Sequence, residues 1–225
     1  KNYICLDKAG GHGQFLDDWM VPHKGTPPDL PHDPDTVAAL VSSGGTTGRP
    51  KGVMITHGGI ETMNACFNAG MPVSAPPVFL IITPMTQAAG ITSFALLEFG
   101  ATNVIMSNAD PEAIMEVIER DKVTHLFLPP TVIYVMLAHP NVRKYDYSSL
   151  ENFIYAAAPM SADKLREAID VFGPVMTQTY GQAEAAMICT YFSPEQHVEA
   201  LATGKENRLL SYGQPALFMR VEIMD

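Results

Sequence analysis

Two hydrophobic rhythms alternate along this chain. Short, solidly apolar runs are separated by stretches in which apolar residues return every third or fourth position. The first is the pattern of a buried strand and the second that of an amphipathic helix. "YICL" (3–6) is a short strand-like piece, followed by a Gly-rich turn and "QFLDDWM" (14–20). "VAALVS" (37–42), "GVMITH" (52–57), "VFLIIT" (78–83), "TNVIM" (102–106), "VTHLFLPP" (123–130), "LENFIYAAAP" (150–159), "VMTQTYG" (175–181) and "LFMRVEIMD" (217–225) read as strands, most of them buried. Between them, Thr56 is placed to cap a helix carrying Ile60, Met63 and Phe67 on one face. "AAGITSFALLEFG" (88–100) is a second helix. Asp110 caps a third, with Pro111 at its first position and Ile114, Val117 and Ile118 turned inward. Ser161 caps a fourth, which buries Leu165, Ala168, Ile169 and Phe172 and stops at Gly173–Pro174. Strands alternating with helices imply right-handed crossovers. The expected fold is therefore α/β, a mostly parallel sheet with helices on both faces.

Punctuation divides the chain unevenly. "VPHKGTPPDLPHDPD" (21–35) holds five prolines in fifteen residues and is expected to be an extended connector. Residues 1–35 are accordingly read as a partial N-terminal segment with its connector, and 36–225 as the α/β core. The sequence starts with Lys1 rather than Met, so it is expected to be the central part of a longer polypeptide. No apolar run approaches the roughly 18 residues that span a bilayer, and no signal-peptide pattern opens the chain. The net charge of −10 argues against nucleic acid or an anionic membrane as partner, both of which need a basic footprint. Cys5, Cys66 and Cys189 form no CxxC pair, which suits a reducing, cytoplasmic setting. The seven histidines show no paired metal-ligand spacing.

The chemistry concentrates in "SSGGTTGRPKG" (42–52), between two strand runs. A Walker loop would place Ser or Thr directly after its lysine and open a helix; here Gly52 follows Lys51 and a strand continues. No GxGxxG supports a dinucleotide fold. The composition still suits phosphate. Glycine amides approach a polyphosphate without obstruction and form an anion-binding nest. Ser43, Thr46 and Thr47 add hydroxyl donors and Lys51 a charge. Small polar residues also make ordinary surface hairpins, but a tight turn needs only one or two glycines, and Gly44, Gly45, Gly48 and Gly52 all fall here.

"SSGGTTGRPKGVMITH" resembles the phosphate-loop signature of the adenylate-forming (AMP-binding) enzymes, approximately (Y/F)TSGTTGxPKGVxxTH. Further likenesses follow in the family's order. "TPMTQAAG" (83–90) resembles the segment lining the acyl pocket, and "YAAAPMS" (155–161) the Gly-Ala-Pro turn beside adenine. "TYGQAEA" (179–185) resembles the YGxTE motif, and "SYGQPALFMRVEIMD" (211–225) the VGxPxxGxEVxIxD strand. Acyl-CoA synthetases are the members it resembles most. The resemblance implies that a carboxylate attacks the α-phosphorus of ATP to give an acyl-adenylate, from which coenzyme A then displaces AMP. It further implies that Ser43, Gly44, Gly45, Thr46, Thr47, Gly48 and Lys51 cradle the phosphates. Thr179, Tyr180, Gly181, Gln182 and Ala183 would meet the nucleotide, with Ala157, Ala158 and Pro159 as the adenine wall, and Glu184 would hold Mg²⁺. A lone Glu is ordinarily a solvated surface residue. One directly after a strand run and Tyr-Gly is in a less ordinary place. Gln87, Ala88 and Gly90, with Ala89, would leave space for the acyl group. His57 matches a family position without an assigned role.

The sequence departs from the pattern at Gly44, where relatives have Ser, and at Ala183, where they have Thr; the second loss removes a hydroxyl expected at the α-phosphate. Nothing from Pro84 to Leu97 is acidic, so no group is placed to hold a substrate amine. The expected substrate is a plain carboxylic acid, fatty or aromatic, with ATP, Mg²⁺ and coenzyme A. Two alternatives stay open: an enzyme that passes the adenylate to a carrier protein, and a non-catalytic nucleotide- or adenylate-binding relative.

Overall fold

A computed structural model of the protein describes residues 4–5, 14–23, 25, 32–42, 51–185 and 187–224. The chain forms two compact units, Lys1–Asp33 and Pro34–Asp225. In the first, β1 (Ile4–Cys5) and β2 (Gln14–Phe15) pair in parallel, and α1 (Leu16–Met20) follows. The segment expected to be an extended connector instead opens with a 3-10 turn, Val21–His23.

The second unit begins with a correction. β3 (Val37–Ser42) and β4 (Gly52–Thr56) are strands, but they form an antiparallel hairpin of their own. They pair antiparallel in a separate two-stranded sheet, so they are not part of the parallel series. Their "buried" pattern is also overturned. Leu40 and Met54 are 73% and 69% exposed, because this two-stranded ribbon is not sandwiched as the main sheet is.

The main sheet supplies that sandwich. After β4 come α2 (His57–Gly70), β5 (Val78–Ile81), α3 (Ala88–Leu97), β6 (Thr102–Ile105), α4 (Pro111–Asp121) and β7 (His125–Leu128). Then follow α5 (Pro130–Leu137), β8 (Asn152–Tyr155), α6 (Ala162–Phe172), β9 (Met176–Tyr180), β10 (Thr190–Phe192), α7 (Pro194–Ala202) and β11 (Gln214–Pro215). The strand order is β11-β10-β9-β8-β7-β5-β6. Strands β9 to β6 run parallel, and β10 and β11 are antiparallel additions. The α/β fold with a mostly parallel sheet and helices on both faces is therefore correct.

The central parallel strands β5, β7 and β8 each serve two cores, because successive side chains point to opposite faces. Leu80, Leu126, Leu128, Phe153, Tyr155 and Met176 pack with α4, α5 and α6. Phe79, Ile81, Phe127 and Ile154 pack with Cys66 and Phe67 of α2 and Ala95 and Leu96 of α3. The caps act where the sequence placed them. Thr56 Oγ1 accepts from the Gly59 amide at 3.1 Å, Asp110 Oδ1 from Ala113 at 2.9 Å, and Ser161 Oγ from Lys164 at 3.4 Å.

Several elements differ from the sequence reading. The two prolines read as ending β7 also start α5: Pro129 is its N-cap and Pro130 its first residue, where a missing N–H costs nothing. β10 and α7 were not anticipated, although Ser193 and Gln196 form a reciprocal capping box. "LFMRVEIMD" is not a strand. Only Gln214–Pro215 pair in that region, and Leu217, Phe218 and Ile223 are exposed. No helix among the described residues is long and apolar enough to cross a membrane.

One buried polar chain ties the amino ends of four strands together. The Val78 amide donates to Thr124 Oγ1 at 2.9 Å, and Thr124 Oγ1 in turn donates to the Val78 carbonyl at 3.2 Å. His125 Nδ1 lies 2.9 Å from Thr124 Oγ1, and its Nε2 lies 3.2 Å from Asn152 Nδ2. Asn152 Oδ1 accepts from Thr177 at 3.0 Å. Asn152 Nδ2 can only donate, so Nε2 is the acceptor and the neutral ring carries its proton on Nδ1.

Burial holds His125 neutral, with its pKa pushed down to about 4; buried His197 is likewise lowered to about 4. Both values lie below the ordinary histidine value of about 6.5, so the unfolded chain binds these protons first as pH falls. The stability that depends on the neutral rings is complete above pH ~6.5 and is lost as pH falls through about 4. Urea midpoints measured from pH 7.5 to 4 are expected to decline across that window, and His125→Gln to decline less steeply. In the core, Phe153 is fully buried with its ring 5.1 Å from that of Phe172. Phe153→Ala should cost about 3–5 kcal/mol in urea denaturation, whereas Phe94→Ala at an exposed site should stay within about 0.5 kcal/mol.

Candidate functional site

The carboxyl ends of parallel strands are where an open α/β sheet presents its loops to a ligand. A cavity of about 300 Å³ lies there. Its apolar floor comes from both sides of the α2–α3 core: Met63 and Phe67 of α2, Ile91 and Ala95 of α3, Phe127 of β7 and Ile154 of β8. Its rim is built from the segments leaving β8 and β9: Ala156–Pro159 from the first, and Gln178–Gly181 with Met187 and Ile188 from the second. Tyr212 completes the mouth, its ring 5.4 Å from that of Tyr180. Among the described residues, none that lines the cavity carries a formal charge, so these walls offer a ligand apolar surface and neutral polar groups.

Two backbone features shape the rim. Ala157 adopts a left-handed conformation with φ 69°, which turns the chain sharply between β8 and α6. A non-glycine residue held there stores strain of roughly 1–3 kcal/mol, and such strain gathers at ligand sites. Across the rim, Gly181 packs against the segment before β10 so closely that a Cβ would fall 1.8 Å from the Met187 carbonyl oxygen. Met187 is itself left-handed, with φ 64°. The turn between them is closed by the Met187 and Ala185 amides donating to the Gln182 carbonyl, and by Cys189 donating to that of Tyr180 at 2.8 Å.

The residues singled out from the sequence fall into three groups. Ala88, Ala157, Ala158, Pro159, Thr179, Tyr180 and Gly181, drawn from three distant stretches, line this one cavity. A second group lies beside it. Ala183 and Glu184 form a 3-10 turn with Ala185, next to β4, and Gln182 precedes that turn. Glu184 and Lys51, the residue before β4, are both exposed. Gln87 and Gly90 do not line the cavity. Gln87 is the exposed N-cap of α3, and Gly90 is buried where a Cβ would lie 1.7 Å from the Met85 carbonyl oxygen. The absent side chain at Gly90 thus serves close packing of the turn before α3. Ser43, Gly44, Gly45, Thr46, Thr47 and Gly48 lie outside the described residues.

The sequence reading missed the floor. Met63 and Phe67 were assigned to a helix face, and nothing in that periodicity distinguishes a core face from a cavity wall. Gln178 was missed too. Its signal was a polar residue inside an otherwise buried strand.

A family model described as "AMP-binding enzyme" matches residues 4–225. The chain belongs to that family. It is 38% identical over 197 residues to the medium/long-chain-fatty-acid–CoA ligase FadD8 of Mycobacterium tuberculosis, covering 88% of this chain and 33% of the relative. A feruloyl-CoA synthase of Amycolatopsis sp is 37% identical, covering 71% of this chain and 33% of that protein. A 4-coumarate–CoA ligase of Solanum tuberosum is 33% identical, covering 85% and 37%. Among solved structures, the amide bond synthetase McbA of Marinactinospora thermotolerans superposes with a TM-score of 0.79 at 31% identity, covering 89% of this chain and 39% of that one. The o-succinylbenzoate CoA synthetase of Bacillus subtilis, in complex with ATP and magnesium, shares the fold at a TM-score of 0.72 and 22% identity, covering 92% and 41%. The chain spans about a third of the length of the curated relatives it matches.

The tight packing at Gly181 makes a direct check on the rim. Gly181→Ala must push the Met187 backbone away, and is expected to cost about 1–3 kcal/mol by thermal or urea unfolding. The same variant should lose any ligand that the wild-type cavity binds, measured by equilibrium dialysis.

Proposed function

We propose that this AMP-binding chain takes part in ATP-dependent activation of a carboxylic acid, forming an acyl-adenylate that is then transferred to coenzyme A. The observation that carries this reading is the convergence of Ala88, Ala157–Pro159 and Thr179–Gly181 on a single cavity at the strand ends. The named relatives, which are fatty-acid, feruloyl and coumarate CoA ligases, support it.

In this reading the adenine lies against Ala157–Pro159 and Tyr180, and the acyl group enters the apolar floor between α2 and α3. Lys51, with the loop before it, meets the phosphates. The protein's contribution is to fix the acid and the α-phosphorus in line, and to neutralise charge on the phosphates as the bond to pyrophosphate breaks. Glu184 is a hard oxygen ligand beside the cavity rim and suits Mg²⁺, which takes one or two carboxylates with the rest from phosphates and water. Bound there, Mg²⁺ would shield phosphate charge. The uncharged lining favours a fatty or aromatic acid over an amino acid. Buried free thiols at Cys66 and Cys189 agree with a reducing, cytoplasmic setting.

Ala183 favours a second reading, a non-catalytic binder of nucleotide or adenylate, because it lacks the hydroxyl that the family motif places beside Glu184. Acid-dependent exchange of pyrophosphate into ATP separates the two. Exchange is expected with aliphatic or aromatic acids and not with amino acids. Lys51→Ala and Glu184→Gln should each reduce it about ten- to a hundredfold, the equivalent of roughly 1.5–3 kcal/mol for a hydrogen bond to a charged group. Binding of MgATP without exchange for any acid would favour the second reading.

A further inference from the structure

Two aromatic rings from distant parts of the chain meet at the cavity mouth. Tyr180 ends β9, and Tyr212 lies in the segment between α7 and β11. Their ring centroids are 5.4 Å apart and their planes cross at 58°, a tilted arrangement that aromatic quadrupoles favour over face-to-face stacking. Both line the cavity, and each keeps 45% of its surface exposed, so neither ring is enclosed by the protein alone. Tyr212 is also a departure in the sequence. In "SYGQP" (211–215) it stands where the family pattern VGxP has valine, which carries no ring and cannot make this contact.

The backbone that carries Tyr212 is held by β10. Thr190, 6% exposed, sits opposite Tyr180 on one side and Pro215 on the other. Its Oγ1 donates to the Tyr212 carbonyl at 2.5 Å. Gly213 is left-handed, with φ 83°, and a Cβ there would fall 1.9 Å from the Tyr191 carbonyl oxygen. Its amide donates to Ser211 Oγ at 3.1 Å. The turn therefore presents Tyr212 to Tyr180 from a fixed point. A half-exposed tyrosine otherwise samples several rotamers, and a ligand that stacks on it must immobilise it. Packing the ring beforehand against a second ring removes part of that cost.

We propose that Tyr212 is a positioning residue that sets the Tyr180 ring in place as a platform for a planar base at the cavity mouth. This rests on the reading of the cavity as a nucleotide site. Tyr212 acts here through Tyr180, so its effect vanishes when that ring is removed. A residue that merely held the turn would act alike with and without the Tyr180 ring.

The test measures the dissociation constant of AMP by calorimetry, titrated to millimolar concentration, for this chain and four variants. Tyr212→Val, which puts back the residue of the pattern, should weaken AMP about three- to tenfold. Tyr212→Phe, which keeps the ring, should stay within about twofold of wild type. Tyr180→Leu should weaken AMP by itself, and adding Tyr212→Val to it should change the affinity less than about 1.5-fold further. Four outcomes would overturn the proposal while leaving the cavity reading intact. These are no loss in Tyr212→Val, no loss in Tyr180→Leu, a loss in Tyr212→Phe as large as in Tyr212→Val, and the same Tyr212→Val loss in both backgrounds. Failure of wild type to bind AMP would overturn the cavity reading, and this proposal with it.

Discussion

Everything at the site depends on the central parallel strands β5, β7 and β8 having no free face. Each gives alternate residues to opposite cores, so its position is fixed from both sides. A register shift by a single residue would exchange Leu126 with Phe127, or Phe153 with Ile154, between cores of different shape. The strand ends are therefore held firmly, and the segments leaving them start from fixed points. Ala157 can be kept left-handed, and Gly181 pressed against the Met187 backbone, because β8 and β9 do not yield.

The two faces are not equivalent. Helices α4, α5 and α6 close over one side with a large continuous core. On the other side, α2 and α3 make a smaller core, and the cavity opens between those helices and the ends of β7, β8 and β9. Its floor is an extension of that smaller core, which is why Phe67 both packs in the interior and lines the space. Polar groups are placed apart. Thr124, His125, Asn152 and Thr177 join the amino ends of the strands, and His197, Tyr155 and Gln178 reach the wall at the carboxyl ends. Both sets consist of neutral groups, as burial in a low-dielectric interior requires.

Local signals in the sequence were good guides wherever they act locally. Thr56, Asp110 and Ser161 cap helices because a side-chain oxygen needs only its own first turn to find an amide. The solid apolar runs at 78–81, 125–128 and 152–155 became parallel strands because such runs need cover on both sides. The same reasoning failed for 37–42, an apolar run that is an exposed hairpin strand, and for 217–224, which pairs with nothing among the described residues. Apolarity states what a segment prefers to bury, not which neighbour arrives to bury it. Pro129 and Pro130 were ambiguous for a different reason, since a proline that ends a strand can equally occupy the first turn of a helix.

By itself, then, the sequence determined the alternation of strands and helices, the caps, and a set of motifs whose order marks an AMP-binding enzyme. Only the tertiary structure decided which of those motif residues meet. It brought Ala88, Ala157–Pro159 and Thr179–Gly181 to one cavity, and left Gln87 and Gly90 at the start of α3, outside it. It also recruited Met63, Phe67, Phe127 and Gln178, which no motif marks. The physical reason is that a cap or a strand is decided within a few residues, whereas a cavity wall is decided by which elements the sheet order sets side by side.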